Sequence, residues 1–447
     1  MTKRIIVLSV VGLEEKHLES GLLPNISKLI ENGEYSKLSP VFPSVTSTVQ
    51  TSLLTGKYPS EHGIIANGLY DRTNYNVSFW EQYSSLVESP RVFDVKKQNT
   101  HIDTNLKSAI LFWQNSLYSN ADIICTPKPI HLEKEMIMWC YSKPIGFYES
   151  MVEKIGKFDL MSYWGPFASS KSSEWITNAT IYTIERERPD ILFTYLPHVD
   201  YSAQRYGKDS IQVKDDIIKA DEYVGQIINH CKESNLLDET KFIIFSEYGF
   251  NNVNNSVSLN KILREHDLLK TREINEKEYL DLENSDAFAM VDHQIAHVYV
   301  KDKALHKTKK ILEETKGVEK VLTKEDQGQY HIDNQRSGEL IAIANTDTWF
   351  NYYWWFNDEK APSFTREVDI HRKPGFDPVE LFIDMKSRSI PLNPKLVKGS
   401  HGRPPNPDTG EGLSLYLSNT KSDINRDKDN NILNVVNLGE YLMKFMM

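Results

Sequence analysis

The sequence predicts an α/β protein, a three-layer α/β/α sandwich around a mostly parallel sheet. Two observations carry this: short apolar runs rich in β-branched and aromatic residues recur along the chain, and helical patterns lie between them. Strands that alternate with helices imply a parallel sheet covered on both faces. Length is the third observation. At roughly 150 residues per domain, 447 residues allow either about three domains or one large body with insertions.

The first run, residues 5–11, has the length of one buried strand, and a helical pattern follows over 23–32. Runs at 191–196 and 242–245 read as strands, with a long helical pattern at 210–234 between them. The stretch 287–300 reads as a strand, and 340–344 and 379–383 as strands framing the aromatic stretch 349–356. Between about 80 and 180 the chain is rich in aromatic and polar residues, which predicts a helical connection and an elaboration over the sheet edge. The acidic stretch 273–285 reads as a surface loop, and about 303–390 as an inserted subdomain. No internal repeat or low-complexity linker interrupts the chain. The expectation is therefore one catalytic domain over 1–447 with insertions.

A net charge of -10 disfavours non-specific attraction to a nucleic-acid polymer. With 40% hydrophobic and 26% charged residues the composition is that of a packed globular chain. Cys125, Cys140 and Cys231 show no CxxC spacing, so buried thiols are expected rather than a disulfide framework or a cysteine metal site. The charge-rich stretch 421–429 mixes both signs and reads as solvated surface. The apolar run near the N-terminus is too short to span a membrane and has no small-residue cleavage site after it. A cytoplasmic protein with no membrane partner is the expectation.

In parallel sheets, ligands sit beyond the carboxyl ends of the strands, and there this sequence is polar. Gly12 follows the first run, Pro197-His198-Val199-Asp200 the second and Ser246-Glu247-Tyr248-Gly249 the third, while Gly399-Ser400-His401-Gly402 stands in a glycine-flanked turn. Pro43-Ser44-Val45-Thr46-Ser47-Thr48 leads to Thr55-Gly56-Lys57-Tyr58-Pro59-Ser60-Glu61-His62-Gly63-Ile64. A hydroxyl at the start of a helix lies where orphan N–H groups favour a phosphoryl oxygen. Threonine there is also a common cap. On the residues alone, both readings of Thr46 stand.

This segment resembles the nucleophile region of the nucleotide pyrophosphatase/phosphodiesterase (type I phosphodiesterase) family, within the alkaline-phosphatase-like superfamily. The resemblance implies the alkaline-phosphatase-like fold with an inserted cap, places Thr46 at the nucleophile position, and puts His62 in a structural closing turn. It continues through 195–206, 245–250 and 399–402, and more loosely at 292–294 and 352–355. It also implies two zinc ions about 4 Å apart, held by six side chains besides the nucleophile. Here the sequence departs from the pattern. Val11, Gln204, Glu247 and Tyr248 stand where the family carries aspartate, histidine, aspartate and histidine, and only Asp200 and His401 are kept.

Valine binds no metal, and an amide oxygen suits a harder cation such as Mg or Mn. The expectation is one divalent ion, Zn or else Mn or Mg, held by Asp200, His401, Glu247 and His198. His198 would join because, two residues before Asp200, it shares a side with it in an extended segment; structural packing is the other reading of that histidine. The implied function is a phosphoric ester hydrolase acting on a small-molecule ester. Thr46 would attack, Glu247 serve as base, and Tyr248 donate to a phosphoryl oxygen. The alternative is a body turned to a metal-free reaction or to non-hydrolytic binding of a small ligand. The substrate and the oligomeric state stay open.

Three further features attract notice. His293 and His297, four apart on a straight strand, would be separated by roughly 13 Å and share no metal. In Asp369-Ile370-His371-Arg372-Lys373, Arg372 or Lys373 either meets an anion or belongs to a charged surface turn. The aromatic stretch 349–356 either walls a pocket or packs an inserted hairpin.

Overall fold

The structure, a computed structural model, describes residues 3–95, 106–132, 136–427 and 429–446; residues 96–105 of the predicted elaboration lie outside them. In chain order the main strands are β1 (Arg4–Val10), β2 (Glu34–Ser39), β3 (Ser108–Leu111), β4 (Ile123–Pro127), β5 (Cys140–Lys143), β6 (Ile191–Leu196) and β7 (Thr240–Phe245). They continue with β8 (Ala287–Asp292), β9 (Ile295–Val300), β10 (Val318–Leu322), β11 (Leu340–Ala344), β12 (Ser414–Ser418) and β13 (Ile432–Asn434). The helices that matter for the site are α1 (Thr46–Thr55), α2 (Lys171–Glu187), α3 (His198–Tyr206), α4 (Ile211–Glu233) and α5 (Val435–Phe445).

Nine strands form one sheet in the order β13-β2-β12-β7-β1-β6-β3-β4-β5. Its centre is parallel: β1 pairs with β6 and β7, and β6 with β3. Every residue of β1, β6 and β7 is buried, which is why these runs are apolar throughout instead of alternating. Helices cover the sheet in two groups, α1 with α5, and α2 and α3 with α4, giving the α/β sandwich. All ten residues of α1 are buried. Gly439 makes this close packing feasible, since a Cβ there would meet Leu53 O at 2.6 Å.

A second, antiparallel sheet has the order β8-β9-β11-β10. The stretch 287–300 is thus a hairpin, not one strand. Residues 379–383 form no strand either. A 3-10 turn, Pro378–Leu381, stands there, because proline lacks a ladder donor. The expected acidic loop contains a hairpin, Thr271–Ile274 with Lys277–Leu280. Its turn residues Asn275 and Glu276 both take positive φ, 49° and 62°, as a two-residue hairpin requires. The expected elaboration supplies β3, β4 and β5 to the main sheet as well as α2.

The aromatic stretch is packing. Trp349, Phe350 and Tyr352 to Trp355 are buried, most of them against the second sheet, and the indoles of Trp354 and Trp355 donate to Glu278 O and Asp358 Oδ1 at 3.0 and 2.9 Å. Arg372 pairs with Glu367 and Asp369, and Lys373 is buried against Asp377 and Glu380 at 2.8 and 2.6 Å. Lys373 is thus not left for a ligand, and Arg372 belongs to a charged surface turn. Among the described residues no helix is long and apolar enough to cross a membrane.

Candidate active site

The strand register brings the polar ends together. Ser9 near the end of β1 lies opposite Tyr195 of β6 and Phe245 of β7. The segments that leave these strands therefore enter one crevice: Asp200 in the first turn of α3 and Glu247-Tyr248 after β7. Thr46 is the first residue of α1. The capping position belongs to Val45, which makes no side-chain cap bond, and the Thr46 hydroxyl instead shares a 3.0 Å hydrogen bond with the Tyr248 hydroxyl. Thr46 is thus no helix cap. His401 reaches the same place because Ser44 bridges to Gly402 and His401 Nδ1–H donates to Ser44 O at 2.7 Å. Its ring lies flat on that of Tyr248, with centroids 3.6 Å apart.

Burial dominates the electrostatics. Glu247 Oε1 accepts from Ser9 Oγ at 2.7 Å and from Gln50 Nε2 at 2.5 Å. Burial nevertheless pushes its carboxyl from 4.5 up to about 8, against the opposing pull of Gln50, Ser9 and Thr46. Asp200 is pushed up to about 6, again by burial, while His293, Gln204 and Tyr248 pull it back. Burial also holds His401 well below the ordinary imidazole value. Four buried atoms here have no hydrogen-bond partner: Asp200 Oδ1, Gln204 Oε1, Glu247 Oε2 and His401 Nε2. Asp200 Oδ1 and His401 Nε2 lie 3.9 Å apart. Because Nδ1 carries the proton of His401, both facing atoms are electron-pair donors, and such a pair calls for a proton or a cation between them.

The expected metal set of His198, Asp200, Glu247 and His401 is not assembled. His198 opens a helix, not an extended segment, so it does not share a side with Asp200. Its Nε2–H donates to Asp216 O at 2.9 Å and its Nδ1 accepts from Ser173 Oγ at 2.8 Å. Glu247 gives Oε1 to Ser9 and Gln50 and keeps only Oε2 without a partner. Among the described residues no three His, Cys, Asp or Glu side chains converge in a way that could hold a metal ion. Two ions do not fit the residues present: Val11 is buried and offers no donor, and Tyr248 is bonded to Thr46. The partnerless atoms of Asp200, Gln204 and His401 fit one. Gln204 is tied to Asp200 by a 2.6 Å bond from Nε2 to Oδ2, which leaves its amide oxygen free.

His293, which the sequence left without a role, also reaches the site. It sits in the turn between β8 and β9 with φ 61°, and Asp292 Oδ1 accepts from its Nδ1 at 2.7 Å. Asp292 is held in turn by the backbone and side-chain nitrogens of Asn67 at 2.8 and 3.1 Å, and Asn67 Oδ1 accepts from Ser47 N, one residue beyond Thr46. The available signal was a polar His-Gln step between two β-branched runs. His297 points elsewhere, donating to Ile65 O at 3.1 Å. His62 bonds Ser52 Oγ at 2.9 Å and receives Ile64 N, as a structural closing turn should. A cavity of about 620 Å³ opens onto Thr46, Asp200, Tyr248 and His293.

Together these features define an α/β sandwich with a buried, hydroxyl-centred cleft at the carboxyl ends of its central strands. The family model described as type I phosphodiesterase / nucleotide pyrophosphatase matches residues 5–377, and the chain belongs to that family. An uncharacterized pyrophosphatase/phosphodiesterase of Schizosaccharomyces pombe is 25% identical over 249 residues, covering 55% of this chain and 44% of the relative. The human ectonucleotide pyrophosphatase/phosphodiesterase family member 1 is 27% identical over 256 residues, 56% of this chain and 24% of the relative. The matches thus span less than half the length of these curated relatives. Among solved structures, murine ectonucleotide pyrophosphatase/phosphodiesterase 5 superposes with TM-score 0.61 at 14% identity, covering 99% of this chain and 95% of the other. Phosphonoacetate hydrolase from Sinorhizobium meliloti 1021, in complex with phosphonoacetate, gives 0.63 at 15% identity, covering 99% and 96%. At these identities the two structures establish the fold, which is alkaline-phosphatase-like.

Proposed function

We propose that this chain is a phosphoric ester hydrolase acting on small-molecule esters, with Thr46 as nucleophile and one divalent cation at Asp200, Gln204 and His401. The observation that carries the reading is the Thr46 hydroxyl, buried at the first turn of α1, bonded to Tyr248 and set in a cluster with four partnerless atoms, of Asp200, Gln204, Glu247 and His401. The family supports phosphodiester or pyrophosphate chemistry. When bound, the cation would neutralise phosphoryl charge.

The chain's own residues do the rest. Thr46 Oγ1 bonds to phosphorus as the ester P–O bond breaks, and the electrons of that bond leave with the alcohol oxygen. Glu247 in its ionised form takes the threonine proton, and Tyr248 keeps the hydroxyl oriented. His293, held by Asp292 and facing the same cavity, is placed to give a proton to the leaving oxygen. Water then cleaves the Thr46–phosphorus ester. Thr46→Ala should abolish turnover of a p-nitrophenyl phosphodiester while thermal unfolding stays cooperative, and retained turnover would sink the reading. A second reading, a metal-free reaction in the same cleft, draws on the short donor set; a protein that binds no zinc, manganese or magnesium would favour it.

A further inference from the structure

The cavity above Thr46 is far larger than a phosphoryl group needs. At about 620 Å³ it has room for a sizeable organic group. Around the polar floor its walls are aromatic and aliphatic, with Trp80, Phe112, Met138, Tyr163, Trp164 and Phe376 among them. Two of the polar side chains on the aromatic wall are already engaged. Gln82 donates to Trp80 O and Gln114 Oε1 and accepts from Asn115 N, and His371 Nδ1–H donates to Phe79 O at 3.2 Å. The charged lining comes from one side, 366–371 with Arg388; there Glu367 and Asp369 are paired with Arg372, while Arg366 and Arg388 are exposed at the rim. Against the aromatic and aliphatic walls a nucleobase or sugar would bring donors and acceptors that find no partner, and unpaired buried polar groups are costly.

Two more observations point the same way. Met136, Met161 and Phe167 are 39%, 47% and 59% exposed, yet all three belong to this one cavity. Apolar groups left open together, rather than singly over a surface, mark a binding site, and thioether side chains adapt to varied apolar shapes. In addition, Trp80 and Phe112 both hold left-handed backbone, φ 61° and 59°. That conformation is costly for a bulky residue, and here it accompanies two large rings in the cavity wall.

Building on the phosphoester reading above, we propose that the substrate is a phosphate ester whose alcohol part is a large apolar group, seated in this cavity while its phosphorus faces Thr46. The test is a series of p-nitrophenyl phosphodiesters that share a leaving group and differ in the second ester: methyl, octyl or thymidine 5′. Assayed with the full chain and added divalent metal, the octyl ester should exceed the methyl ester in kcat/KM by at least tenfold, since each buried methylene contributes roughly fourfold. It should also exceed the thymidine ester. Phe167→Asp should lower the octyl-to-methyl ratio. A ratio near one, or preference for thymidine, would overturn the proposal while leaving the hydrolase reading intact. Should no ester turn over, the hydrolase reading fails and binding decides the proposal. Octylphosphonate binding Thr46→Ala at least tenfold more tightly than methylphosphonate would sustain it, and equal binding would overturn it.

Discussion

Replacing Glu247 by glutamine isolates the proton that burial forces on this carboxyl. The side chain is wholly buried, and its carboxyl titrates near 8 instead of 4.5. At about 1.4 kcal/mol per pH unit, the folded state disfavours ionisation by on the order of 5 kcal/mol. The sign follows from linkage: a carboxyl raised on folding binds its proton more tightly in the native state. Its contribution is fully present below about 4.5 and is lost as pH rises through about 8. Glutamine keeps an acceptor for Ser9 and Gln50 but cannot titrate. Urea unfolding of both proteins in chelator, at several pH values between 4.5 and 8, should show the wild type losing about 1.4 kcal/mol per unit relative to Glu247→Gln. Asp200, raised in the same direction, is common to both and largely cancels. A difference that does not change with pH would mean that Glu247 is ionised in the folded protein, and the account of the site would be wrong.

Tyr248→Phe keeps the ring on His401 and removes the hydroxyl from Thr46; kcat should fall at least tenfold, with stability changed by only about 1 kcal/mol. Elemental mass spectrometry should find about one metal equivalent, lost in Asp200→Ala and His401→Ala but kept in His198→Ala, whose histidine serves Ser173 and Asp216. Retention by the first two variants would refute the ligand set. Lys373→Met strands Asp377 and Glu380 without their buried cation and should cost about 3–5 kcal/mol in urea unfolding. Because Glu380 accepts from the Trp164 indole at 2.6 Å, the tryptophan fluorescence of the folded variant should shift as well.

Much of the architecture was legible because burial writes itself into composition. β1, β6 and β7 are buried on both faces and so are apolar at every position. The hairpin Thr271–Ile274 with Lys277–Leu280 was not legible, because only one of its eight strand residues is buried and most of them are charged or polar. Residues 287–300 hid their turn for a different reason: Asp292 and His293 are buried like their neighbours, so no solvated break divides the two strands.

Asp200, Glu247 and Tyr248 could be pointed to from the chain, because each follows a run whose apolar pattern is plain and the ends of parallel strands share one crevice, whereas only the family resemblance gives Thr46 and His401 a role. Which of them act together could not be read from the chain. A step of two residues returns to the same side in an extended segment but turns roughly 200° around a helix. His198 was therefore assigned to Asp200 by a geometry that α3 does not have, and the three-dimensional packing sends it to Ser173 instead. Gln204, one helical turn beyond Asp200, takes the place beside that carboxylate. His293 arrives through a left-handed turn and 225 residues of separation between Asp292 and Asn67, a juxtaposition created by packing alone, which no local pattern encodes.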